Sequence, residues 1–305
     1  MLKHVFSLIF AVMIVCVVAA PVVAQENDPV ISAADYLATM QVEDGGFSTG
    51  WTPESDLSTT ADAVVALVAA EQSGDVLDAA LAYLAAQVGA GNAASAGQIA
   101  KVITAVIALE NDPADFGEHN LIDDLLALQS EEGIFGMGVF DHCLAMIALQ
   151  NAAVDLPEGT VEALIAGQTE AGGWGFMAGE APDTNTTGLC LQALALTGEA
   201  DAVAASLDYL AAIQNEDGGW PYQSPSDYGT DSDTNSTALI VQSLIATGEN
   251  LDDWHNPADW LLSMQNESGA FGYQAAMPDD NLVATVAVIP ALAGLPLNSW
   301  ALMAE

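Results

Sequence analysis

Arginine is absent from this 305-residue chain, and lysine occurs only twice, against 42 aspartates and glutamates. The formal net charge at pH 7 is therefore −40. Such a surface repels phosphodiester backbones and anionic headgroups, which excludes nucleic acid and anionic membrane surfaces as partners. It favours solubility and suits a salty medium that screens self-repulsion. Apolar residues are not scarce. With 52% hydrophobic residues the chain is not of the disordered class, and its length suffices to bury one large core. Long apolar runs are few. The stretch from Val5 to Ala20, broken only by Ser7, follows Lys3 and His4 and precedes Pro21 and the small residues up to Ala24. This is the pattern of an export signal over residues 1–24, and the run falls short of the ~20 residues of a membrane span. An uncleaved anchor is the alternative. Every later apolar stretch is interrupted by Gly, Asp or Gln. Residues 25–305 then form a single domain whose one Lys or Arg is Lys101.

Cysteine is also sparse, and two cysteines, Cys143 and Cys190, survive removal of the leader. Export permits a disulfide between them. Both fall mid-helix in neighbouring repeats, where helix axes pack ~8–10 Å apart. The expectation is a pair of buried free thiols.

What the chain has in abundance is one phrase, respelled. It reads Gln41-Val-Glu-Asp-Gly-Gly-Phe47, Gln129-Ser-Glu-Glu-Gly-Ile-Phe135, Gln168-Thr-Glu-Ala-Gly-Gly-Trp174, Gln214-Asn-Glu-Asp-Gly-Gly-Trp220 and Gln265-Asn-Glu-Ser-Gly-Ala-Phe271, with a degenerate copy at Gln87. A recurrence of this length marks one supersecondary unit copied along the chain. Each unit has an amphipathic helix ending at the Gln, stopped by glycine, and then a helix that is apolar all round and hence buried. Six outer and six inner helices alternate. Neither end carries a polar capping repeat, so the stack must close on itself. The predicted fold is all-α, a closed α/α toroid of six helical hairpins with a central cavity lined by the inner helices.

The phrase, followed by inner helices that begin Asp-x-x-x-Thr-Ala or close to it, resembles the prenyltransferase and squalene cyclase superfamily over essentially the whole mature chain. The resemblance implies the toroid shared by terpene cyclases, protein prenyltransferase β subunits, extracellular corrinoid carriers and complement-type thioester domains. Aligned on their closing leucines, the inner helices begin at Asp56, Asp183 and Asp233. N-capping accounts for these three acids without any function. The cyclase motif that the resemblance implies needs a carboxylic acid where this chain has Asn185 and Asn235, and an amide has no proton to give. Zinc-dependent prenyl transfer keeps Asp183 but finds Asn185 and Ser236 in place of thiolate and imidazole. The thioester run is missing.

Other candidates come from the residues alone. Asp231 and Asp233 are the alternative acids for a cyclase of shifted register. Asp141-His142-Cys143 holds three ligand types, but adjacent helical positions point about 100° apart and cannot share one metal. Asp227, Asp231, Asp233 and Asn235 echo a calcium loop without its glycine or closing glutamate. No other cofactor is indicated. In the same alignment Lys101 starts an inner helix, beside Asp141 of the adjacent repeat. It is expected to pair with a neighbouring acid or to contact an anionic group of a ligand. Trp51, Phe176, Tyr222, Tyr228 and Tyr273 lie in loops beside the mouth, placed to stack on a flat ligand or sugar.

These readings favour an exported toroid that binds rather than transforms. Its partner would be a small hydrophobic or amphipathic ligand, or an extracellular protein or glycan. Binding falls at the inner-helix mouth, with Lys101, Asp141, His142, Asp183, Asn185, Asp233 and Asn235 as candidate contacts. The alternatives are a superfamily enzyme using Asp231 or Asp233 as acid, or a glycan-acting toroid enzyme. Oligomeric state is left open.

Overall fold

A computed structural model describes residues 28–302. Residues 1–24, expected from the sequence to be an export signal, lie outside the described residues. Among the described residues twelve α-helices alternate between two concentric rings. The outer helices are α1 (Pro29–Thr39), α3 (Asp75–Gly89), α5 (Leu121–Leu126), α7 (Thr160–Ala166), α9 (Ala200–Ile213) and α11 (Pro257–Ser263). The inner helices are α2 (Leu57–Ala69), α4 (Ala96–Ala108), α6 (Val139–Asn151), α8 (Thr184–Leu194), α10 (Thr234–Thr247) and α12 (Leu282–Ala293). Each inner helix packs on the next, and α12 packs back on α2. A two-stranded ribbon, β1 (Phe47–Ser48) against β2 (Ser55–Asp56), precedes α2.

The repeated phrase builds the joints of the ring. Its glutamine donates Nε2 to the carbonyl four residues on and to the start of the next outer helix or the turn before it. Gln41 thus bonds Gly45 O and Val76 O, and Gln214 bonds Gly218 O and Trp254 O. Gln265 bonds Gly269 O and, at 2.8 Å, Pro29 O, which joins the sixth repeat to the first. The phrase's aromatic is fully buried in every full copy. Its backbone N–H donates to a threonine one turn into the inner helix: Phe47 to Thr60, Trp174 to Thr187, Trp220 to Thr237, Phe271 to Thr285. Gly172, at φ +95°, lies so close to α9 that a Cβ would collide with the Ala205 carbonyl. Only glycine meets both demands.

Two features differ from expectation. Cys143 and Cys190 form a disulfide between α6 and α8, with Cα atoms 5.0 Å apart. The expectation of free thiols used the distance between helix axes. Cα atoms stand ~2.3 Å off each axis, so two that face each other at such a contact come within ~5 Å, inside disulfide range. The chain also continues past α12 into a 3-10 segment, Leu297–Leu302, that lies against α4, α6, α8 and α10. Asn151 Nδ2 donates to Leu297 O, Leu297 N to Gln192 Oε1, and Asn298 Nδ2 to Gln192 O. With Trp300 buried, this segment covers the C-terminal ends of the inner helices.

Candidate functional site

The inner helices are best compared from their N-caps. Asp56, Asp183 and Asp233 cap α2, α8 and α10, each accepting from the backbone N–H and the hydroxyl three residues on, at 2.7–2.8 Å. Asn281 caps α12, Ser95 caps α4 in a reciprocal box with Gln98, and Gly138 holds the cap position of α6. Counted from these caps, the second positions of α6, α8, α10 and α12 are Phe140, Asn185, Asn235 and Val283. The sixth positions of the six helices are Asp62, Lys101, Leu144, Leu189, Leu239 and Ala287. Residues four apart share a helix face. All ten line one cavity of about 230 Å³ in the middle of the ring, and Leu297 of the C-terminal segment also lines it.

This register corrects the placement of Lys101. The capping box starts α4 at Ala96, so Lys101 lies about one turn deeper than an alignment on closing leucines implies. Its layer partner is Asp62 on α2, and Nζ sits 2.5 Å from Asp62 Oδ2. Asp141 is in the first turn of α6 and does not line the cavity. Burial pushes its carboxyl above the ordinary range, while a hydrogen bond from the Met137 amide and the charge of Lys101 hold it down.

The other candidates separate cleanly. His142 occupies the position at which α2, α8, α10 and α12 carry threonine: its Nδ1 accepts from Phe135 N–H and its Nε2 bonds Thr160 O. Burial lowers its pKa, opposed by the Thr160 bond. It is a joint residue and does not face the central cavity. Asp183 and Asp233 are also buried and occupied by their caps. Burial raises both pKa values, and the capping bonds oppose the rise. Neither they nor Asp231, which is exposed, line the cavity, so neither acid proposed for a shifted cyclase register is placed to reach a molecule inside it. The calcium loop is not assembled: Asp227 and Asp231 are exposed, while Asp233 is committed to Ser236. Among the described residues no group of three or more His, Cys, Asp or Glu is placed to hold a metal.

Asn185 and Asn235 do line the cavity, and neither Oδ1 has a hydrogen-bond partner. Gln242 lines it as well. Its Nε2 donates to Ala287 O, which fixes the amide, and its Oε1 is buried without a partner. The sequence reading missed Asp62 and Gln242. Aligning the inner helices on their caps, using the Ser95-Ala-Gly-Gln98 signature, would have placed both. Around the mouth Trp51 is 86% exposed, Tyr228 is fully exposed, and Phe176 leans on the cavity residue Phe140 with ring centroids 5.8 Å apart. Tyr222 is also exposed, whereas Tyr273 is partly buried.

Comparison with known proteins agrees with this architecture. The family model described as prenyltransferase alpha-alpha toroid domain matches residues 3–88 and 102–279. No curated protein sequence matches the chain. Among solved structures, a protein from Actinoplanes superposes with a TM-score of 0.65 at 16% identity, covering 87% of this chain and 98% of that one. A type II terpene cyclase from Scytonema gives 0.63 at 13% identity, with 87% and 96% covered. A glycosidase gives 0.57 at 13% identity, with 88% and 98% covered. At these identities the likeness is one of fold.

Proposed function

Since this chain belongs to the prenyltransferase alpha-alpha toroid family, we propose that it is an exported protein that holds a small hydrophobic or amphipathic molecule in the central cavity without standard cyclase or zinc prenyltransferase chemistry. One observation carries this reading. The cavity is mostly apolar, and its first layer presents the amides of Asn185 and Asn235 where the related cyclases need an acid. An amide can bind a polar group but cannot protonate an alkene. The disulfide supports export, because such bonds persist in oxidising compartments.

Native mass spectrometry of the purified full chain tests this directly. A retained small molecule that is lost on Val283→Trp, which fills the mouth of the cavity, is the expected result. A clean apo mass after exposure to lipid and terpenoid extracts counts against it. Lys101→Met separates two uses of the cation. Lowered thermal stability with unchanged ligand affinity leaves Lys101 only its pairing with Asp62, whereas a loss of affinity places it on the ligand.

A second reading has one observation behind it. Asp62 is the one carboxylate that lines the cavity among the described residues, and it adjoins Lys101. In an enzyme of this fold Asp62 would be the candidate acid or base. Turnover of polyprenyl or glycan substrates that disappears with Asp62→Asn would favour catalysis over binding.

A further inference from the structure

Few polar atoms of the cavity are open to a guest, and those of its outer layer are donors. Asn185 on α8 and Asn235 on α10 hold the same position of neighbouring inner helices, and both are partly exposed. Their Oδ1 atoms are shut away in the wall, so the atom that each amide offers to the cavity is Nδ2. Neither Nδ2 has a hydrogen-bond partner among the described residues. Phe140 and Val283, which complete this layer, are apolar. One turn deeper, Lys101 and Asp62 are bound to each other. Gln242 donates its Nε2 to Ala287 O and has its Oε1 closed off. A guest that covered Asn185 and Asn235 with hydrocarbon would strip water from their N–H groups and return no acceptor, an uncompensated desolvation. Charge sets a second condition. The one cation lining the cavity is met by Asp62 and also acts on Asp141, and the whole chain carries a net charge of −40.

From this arrangement we infer that the occupant of the cavity is a neutral amphiphile that presents a hydrogen-bond acceptor, a ketone or ester carbonyl, to the amide N–H groups of Asn185 and Asn235. The inference rests on the proposed binding function and specifies its ligand. A carbonyl oxygen has two lone pairs and no proton, so it can accept from both amides and leaves no donor of its own unpaired. An ammonium would set N–H against N–H in this layer. A carboxylate satisfies the amides but brings a negative charge into a strongly acidic molecule, where the cation is already neutralised. The apolar remainder packs deeper, against Leu189, Leu239, Val286 and Leu297. A cavity of about 230 Å³ admits on the order of ten non-hydrogen atoms at interior packing density.

The test uses the purified full chain and four probes built on one ring skeleton: the ketone menthone, menthylamine as its ammonium ion, p-menthane-3-carboxylate and the hydrocarbon p-menthane. Binding is read by titration calorimetry and thermal shift at constant ionic strength. The ketone is expected to bind roughly tenfold more tightly than the hydrocarbon, the scale of two buried hydrogen bonds, and more tightly than either ion. Asn185→Leu and Asn235→Leu are each expected to lose part of that advantage, and the double variant all of it. Neither amide has a partner among the described residues, so the replacements break no internal hydrogen bond. Binding of p-menthane by the double variant shows that its cavity is intact. The ranking of the four probes on the unaltered chain decides the question even where a variant does not fold. Equal binding of ketone and hydrocarbon, or tighter binding of the ammonium or the carboxylate, overturns this inference while leaving the cavity as a binding site. Retention of the full advantage in the folded double variant also overturns it. Binding of none of the four overturns the proposed function itself.

Discussion

His142 stands where four other inner helices keep a threonine, and it does the same work with a ring nitrogen. That substitution makes one joint of the ring sensitive to protons. A second proton on the imidazole would face the Phe135 N–H, and burial already disfavours the charged form. A histidine with a depressed folded pKa contributes stability that is complete above its ordinary value of 6.5 and is lost as pH falls below it. The stability difference between wild type and His142→Thr should therefore be constant above about pH 6.5 and shift in favour of the variant below it. Thermal unfolding across pH 5–8 is the measurement, and a difference that stays flat throughout would refute the assignment. Glycine gives a second prediction at this scale. Gly198 and Gly172 both have positive φ, but a Cβ at Gly198 meets open space. Gly198→Ala should cost about 1–2 kcal/mol for the backbone alone. Gly172→Ala adds the collision with Ala205 and should cost about 2–5 kcal/mol in urea unfolding.

The helices divide their labour as their sequences foretell. Inner helices such as α8 and α10 are buried almost end to end, whereas outer helices bury one stripe, as α9 does with Ala202, Ser206, Tyr209 and Leu210. The periodicity and the glycine stops made this alternation legible. The pairing of neighbouring helices was less so, because it depends on how each helix is rotated about its axis. The Cys143–Cys190 disulfide records that rotation for α6 and α8. It closes a loop across 47 residues, for which restriction of the unfolded chain alone is worth about 4 kcal/mol. Replacing both cysteines by alanine should lower stability by up to that amount in chemical denaturation. No loss would indicate that native packing relaxes fully when the bond is removed.

At the scale of the whole molecule, charge and closure act against each other. A net charge of −40 on a compact ring is self-repelling, and the ring has few cations to offset it. Raising the salt concentration from 0.1 M to 1 M shortens the screening length from about 10 Å to about 3 Å. Thermal stability should rise over that interval by on the order of 5 °C. Scanning calorimetry checks this, and a midpoint independent of salt would show that the acids are spaced beyond effective repulsion. Closure itself rests on local contacts. The bond from Gln265 to Pro29 O repeats, across the chain ends, the clasp that joins neighbouring repeats elsewhere.

The sequence by itself determined the number of repeats, the alternation of buried and amphipathic helices, and the closed ring. Each of these is a local signal multiplied by repetition, so an error in one copy is outvoted by the others. Tertiary structure decided what the repeats do not share. It placed Lys101 against Asp62 rather than Asp141, joined Cys143 to Cys190, brought the C-terminal segment across one end of the ring, and left the oxygens of Asn185, Asn235 and Gln242 unpartnered in the cavity wall. The physical reason is register. Whether a side chain faces the cavity depends on where its helix starts, and in α4 a single capping box moved that point by about one turn. A shift of one turn leaves the apolar pattern of a buried helix unchanged while altering which charges meet.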